Sequence, residues 1–171
     1  MATSPAPSLP TAPRQVLRLA VGAESLVVPI ESVHEILEVG RLTAMPQSPA
    51  LLRGVMNLRG AVVPVIDLAA RFGMPPTALG RRSAIVVVEV AGDETQERLT
   101  AGMLVDAVYE VLEFDSEQVE AVPSLGVRLP PGFIAGMVNL PSGYAALLSL
   151  EQILSPSDLA ERIGAAQQAG A

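Results

Sequence analysis

Few groups in this 171-residue chain could do acid–base chemistry. Glu35 with Glu38, and Glu110 with Glu113, are carboxylates three residues apart. On a helix that spacing puts both on one face, where one could hold a proton and the other take it. His34, the single histidine, stands beside the first pair and could act as a lone base, but it cannot build a multi-histidine metal site. There is no cysteine, which removes disulfides, thiolate nucleophiles, zinc–thiolate sites and iron–sulfur clusters together. The phosphate-cradling patterns GxxxxGK[ST] and GxGxxG do not occur. Carboxylate pairs of this kind are common on exposed helix faces, and nothing here supplies a nucleophile, a metal cluster or a phosphate loop to work with them. The reading is a non-enzymatic protein with no cofactor and no metal. Asp67, which ends an apolar run, reads as a strand-ending cap rather than a catalytic acid.

A second constellation is recognition chemistry. Arg53–Gly60 reads RGVMNLRG, with Gly54, Asn57, Arg59 and Gly60 as its glycine and polar positions. Arginine is a frequent interface anchor. The glycines can serve the turn itself and also let a partner backbone come close. Asn57 is of the type that bonds to its own turn backbone. The six apolar residues Ala61 to Ile66 follow, a buried strand by length. Pro64 inside that run predicts an edge strand or a bulge, because proline cannot donate to a ladder. An apolar edge beside Arg59 suggests a surface built to be met by a partner.

The elements that hold these residues come in order. Residues 1–14 hold four prolines and read as a flexible leader. Val16 to Leu19, a turn at Gly22–Glu24, and Leu26 to Ile30 read as a hairpin. Glu31–Glu38 has apolar residues at Val33, Ile36 and Leu37, which predicts a short helix ended by Gly40. A Pro-containing loop precedes Leu51. Ala84–Val90 and Leu99–Val105 read as strands joined by a charged tip, 92–98. Asp106–Glu113 repeats the short-helix pattern. Ser155, Pro156 and Asp158 read as the start of a C-terminal helix whose residues 161–171 fray.

Composition excludes other classes. Half of the residues are hydrophobic and 17% are charged, yet no apolar run approaches the ~18 residues of a membrane span. That much apolar sequence points to a well-filled core, to exposed patches that a partner covers, or to both. The N-terminus lacks the basic-then-apolar pattern of a secretory signal. A net charge of −7 argues against nucleic acid, and 3% aromatics leaves little for stacking.

The chain also repeats itself. Ile30–Val39 lies on Val105–Phe114 without a gap, and Gly54-Val-Met-Asn57-Leu58 lies on Gly136-Met-Val-Asn139-Leu140. The offset grows from 75 (33 to 108) to 82 (54 to 136), so the second half carries the longer loop. The expected fold is mainly β, a duplicated unit in which each half is a small barrel of about five short strands. In sequence order the halves run from about 15 to 80 and from 81 to 155, with exchange of strands between them left open, and the domain covers 15–160.

The string Arg53–Gly60 followed by VVPVIDL resembles the signature of the CheW family of bacterial chemotaxis adaptors. The VHEIL segment before it and the second GMVNL agree. The resemblance runs from about Gln15 to about Leu159. It implies two SH3-like barrels around a shared apolar core, and an adaptor that links methyl-accepting chemoreceptors to a CheA-type histidine kinase in cytoplasmic arrays at the receptor tips. Itself or other CheW-like domains are further partners the family suggests, and pilus-based or other chemosensory systems use the same fold. By the same resemblance Arg59 and Glu35 matter for coupling and can form an ion pair, while Gly54, Asn57 and Gly60 fill the signature. Ile30 and Val33, with Leu104 and Val105, are expected to line an apolar receptor groove between the barrels. The second unit reads NLPSG where the first reads NLRG, so the charged position belongs to the first half alone.

Overall fold

The computed structural model describes residues 14–40, 42–44, 49–91, 98–115, 118–120, 129–141, 143–155 and 159. The leader 1–13, the charged tip 92–97, the Pro156–Asp158 helix start and the tail 160–171 lie outside the described residues.

Among the described residues eleven strands form two sheets. Strands β3 (Val33–Glu38), β4 (Leu52–Leu58), β5 (Ala61–Asp67), β6 (Ala84–Ala91) and β7 (Arg98–Val105) make one, in the order β3-β6-β7-β5-β4. Thr43, just beyond β3, exchanges backbone hydrogen bonds of 2.9 Å with Val55 of β4 and so curls this sheet back on itself. Strands β1 (Arg14–Val21), β2 (Glu24–Pro29), β8 (Ala107–Phe114), β9 (Val119–Glu120), β10 (Ile134–Leu140) and β11 (Gly143–Leu148) make the other, in the order β8-β1-β2-β11-β10-β9. The second sheet therefore has six strands rather than five, the extra one being the two-residue β9. Each sheet mixes strands from both halves of the chain, through parallel pairings of β2 with β11 and of β5 with β7.

The apolar richness has a direct cause. Strands normally alternate core-facing and water-facing side chains, but several here are buried on both faces. On β6, Val86, Val88 and Val90 enter the core shared by the two sheets, while Ile85 and Val87 fill the inside of the five-stranded sheet with Val65 and Leu104. On β1 and β2, Leu17, Leu19, Leu26 and Val28 face the shared core, and Val16 and Val27 face a third cluster with Phe114. Strands covered on both sides read as unbroken Val/Leu runs.

Two one-turn helices stand at equivalent places, α1 (Leu68–Arg71) and α2 (Leu150–Ile153). Asp67 caps α1, accepting from the Ala70 N–H at 3.2 Å. Its fully buried carboxylate also takes the Thr77 N–H and hydroxyl, at 2.9 and 3.0 Å, and Nη1 of Arg53 at 3.0 Å. Arg71 bolts the two helices together: its Nε donates to the Ile153 carbonyl at 2.8 Å, and its guanidinium lies 4.6 Å from the centre of the Phe133 ring.

Three expectations are corrected. Residues 33–38 and 107–114 are strands, not short helices; only Ile30–Ser32 forms a helical turn. On β3 the polar Glu35 is half-buried and the apolar Ile36 is exposed, which breaks the alternation that would have marked a strand. β5 is not an edge: it lies between β4 and β7. Pro64 is tolerated there because Val55, opposite it, gives its own N–H and C=O to Thr43, and because the β5–β7 ladder begins only at Val65. Leu104 and Val105 are fully buried and line no accessible groove.

Candidate functional site

The site is built on the β4–β5 hairpin. Leu58 pairs with Ala61, leaving Arg59 and Gly60 as a two-residue loop with φ of +52° and +87°. Positive φ at both positions is the type I′ turn, whose twist matches the flanking strands. Gly60 suits it; Arg59 is the one non-glycine residue at positive φ among the described residues. Asn57 supports the turn by accepting the Gly60 N–H at 3.0 Å. In this arrangement Arg59 reaches Glu35 on β3, with Nη1 to Oε2 at 2.7 Å and Nη2 to Oε1 at 3.3 Å. The pair is two-pronged, the geometry in which arginine holds a carboxylate best. The Arg59 side chain is 71% exposed and that of Glu35 only 19%. Around it Val62 is 71% exposed and Ile36 45%, unusual for apolar strand residues.

Asn57 and Gly60 thus share one turn with Arg59, and Glu35 is brought to it. The other predicted site residues lie apart. Gly54 sits at the far part of β4, with φ +149° and a Cβ position only 2.5 Å from the Thr43 carbonyl oxygen. Its smallness serves barrel closure. Gly136, its counterpart in the repeat, is crowded in the same way, 2.6 Å from a Val119 methyl of the strand that closes onto β10. Ile30 and Val33 are half-buried and pack against the shared core. The carboxylate pairs are not brought together as an acid–base couple: in a strand, residues three apart face opposite sides, and Glu38 points out where Glu35 points in.

A second ion pair went unrecognised in the sequence. Glu110, the repeat counterpart of Glu35, accepts from Nε of Arg18 on β1 at 3.1 and 3.3 Å, and the Arg18 guanidinium stacks 4.2 Å from the centre of the Tyr109 ring. A backbone hydrogen bond, then the Arg18 hydrogen bond, holds the Glu110 carboxyl below its ordinary range. Tyr109 and Val111 beside it are exposed. Overlaying residues 33–38 on 108–113 was the signal; it lacked only the arginine, which arrives from a different strand. Elsewhere, Glu120 beside the Tyr144 hydroxyl pushes that group up.

Two sheets around a shared core carry exposed ion pairs and apolar side chains on their turns and outer strands. The sequence model of the CheW-like domain matches residues 15–157, and the chain belongs to the CheW family. It is 37% identical over 151 residues to a probable chemotaxis protein CheW from Rhizobium etli, covering 88% of this chain and 94% of that one. It is 36% identical over 136 residues to the protein FrzA of Myxococcus xanthus, covering 78% and 81%. The solved structure of the scaffolding protein TtCheW from Thermoanaerobacter tengcongensis superposes with a TM-score of 0.71 at 28% identity, covering 88% of this chain and 90% of that one. Proteins of this family are non-catalytic adaptors that work with the chemotaxis kinase and receptors.

Proposed function

We propose that this chain is a non-enzymatic adaptor that couples methyl-accepting chemoreceptors to a CheA-type histidine kinase, at the cytoplasmic tips of receptor arrays. One observation carries the reading most: an exposed arginine held at positive φ in a two-residue turn, locked two-pronged to Glu35 and flanked by exposed Val62 and Ile36. A turn needing only to reverse the chain would place Asn or Gly at that position. Keeping Arg there costs backbone energy, and strain of this kind concentrates where a surface is used. In the family, coupling depends on the positions that Arg59 and Glu35 occupy. Ile30 and Val33, at the junction of the sheets, serve the receptor contact. Individually weak contacts become strong in an array, because each further contact is made at high effective concentration.

The test is a pull-down from reducing lysate with the full chain, wild type against Arg59→Glu. A histidine kinase and chemoreceptors recovered by the wild type and lost by the variant support the reading. Equal recovery by both moves the interface away from Arg59, and recovery of neither partner by the wild type overturns it.

A further inference from the structure

The β5–β7 ladder starts late. Its register pairs Val65 with Gly102, Ile66 with Met103 and Asp67 with Leu104. Run backward, that register sets Val63 against Thr100 and Ala61 against Arg98, yet the strands are not paired there, though all four residues are among those described. Pro64 is the cause. Because Val55 turns its backbone groups to Thr43, the Val55–Pro64 pair is a non-hydrogen-bonded one, and Pro64 presents to β7 the position where an N–H would be needed. By the same alternation Val62, two residues earlier, aims its own N–H and C=O into the gap.

The gap is a cavity of about 430 Å³ lined by His34, Leu58, Arg59, Ala61, Val62, Val63, Arg98 and Thr100. Its floor is apolar and its charged lining is two arginines, with no carboxylate, in a chain whose net charge is −7. Arg98 is 74% exposed and leans on Glu89 at 3.4 Å, as Arg59 leans on Glu35; both carboxylates sit outside the lining. Backbone groups directed into an opening beside an apolar floor are the means by which a sheet accepts an added strand. The arginines select what that strand carries.

We infer that this wedge docks an extended acidic segment of a partner protein. The segment's backbone pairs with Val62, one apolar side chain sits on Val62, and flanking carboxylates meet Arg98 and Arg59. Arg98 is then a specificity residue that the signature motif does not contain. The segment's source is taken to be a protein of the assembly proposed above, and in that clause alone the inference rests on that reading; the site itself does not.

The test uses the isotope-labelled full chain and two synthetic decapeptides, one alternating glutamate and valine, the other lysine and valine. The acidic peptide should bind about tenfold more tightly than the basic one. It should shift the amide resonances of residues 61–63 and 98–100, and weaken severalfold as salt rises from low to physiological strength. Arg98→Glu should abolish the preference. Arg98→Ala, which adds no repulsion to Glu89, should reduce it. Equal binding of both peptides, shifts elsewhere, or indifference to both substitutions overturns the inference. So does movement of the same resonances when the protein alone is concentrated, which would give the wedge to a second copy. Failure of the kinase pull-down with peptide binding intact would count against the coupling reading only, and the reverse result against the wedge only.

Discussion

Arg59→Asn should separate folding from coupling. Two energies oppose each other at this position. Holding a non-glycine residue at φ +52° costs about 1 kcal/mol. Asparagine tolerates this region far better and is favoured in type I′ turns. Against that, the variant loses the bond to Glu35. With Arg59 71% exposed, such a pair contributes about 0–1 kcal/mol. Glu35 retains some access to water, so its carboxylate is not stranded in the core. The net change should lie between zero and about 1 kcal/mol in favour of the variant. For a chain of this size that is a Tm equal to the parent or higher by up to about 4 °C. The assay is urea and thermal unfolding of both proteins, with kinase and receptor capture measured on the same preparations. Unchanged or raised stability with lost capture is the expected result. Destabilisation by more than about 1.5 kcal/mol would refute the reasoning, since it exceeds what an exposed pair supplies and would make the Arg59–Glu35 bond a structural tie.

Other perturbations have different expected outcomes. Gly54→Ala should destabilise by about 2–4 kcal/mol, because the new Cβ meets the Thr43 carbonyl at 2.5 Å and the backbone is strained for any L side chain; denaturant titration measures it. Asp67→Ala should cost about 3–5 kcal/mol, since it takes the counter-charge from Arg53, which keeps only the Thr77 carbonyl, and leaves the buried Thr77 N–H without its acceptor, and should show as the largest loss of Tm among these variants. Glu110 has a folded pKa below its ordinary value near 4.5, so the stability it contributes is present above that value and fades as pH falls through the folded pKa. Glu110→Gln should therefore lose less stability than the parent as pH falls below its ordinary value of 4.5, in acid titration followed by circular dichroism.

Much of the fold was legible because strands covered on both faces leave unbroken Val/Leu runs, and because the duplication left GVMNL and GMVNL in register. The misread segments were the ones where half-buried polar and exposed apolar residues intrude. A half-buried Glu35 beside an exposed Ile36 erased the alternation of β3, and Tyr109, Glu110 and Val111 did the same on β8. Local rules fail most where a residue answers to something other than the core. Pro64 was misplaced for another reason. Proline forbids a donor, and the sequence does not say that Thr43 would occupy the one neighbour and an opening the other. The Glu35–Arg59 pair came from the family signature; the Arg18–Glu110 pair, which joins residues 92 apart, needed the fold.

The exchange of strands between the two halves of the chain makes neither half an independent piece. The five-stranded sheet cannot close without β6 and β7, and the six-stranded one needs β1 and β2 from the opposite end of the chain. Polypeptide cut near residue 80 therefore yields two fragments that each lack strands of both sheets, and neither has an interior of its own to fold around. Such a molecule should melt as one cooperative unit. Because its joining contacts are distant in sequence, it should fold slowly for its size. A partner that stiffens one sheet then raises the stability of the other through the core they share, with no contact to it.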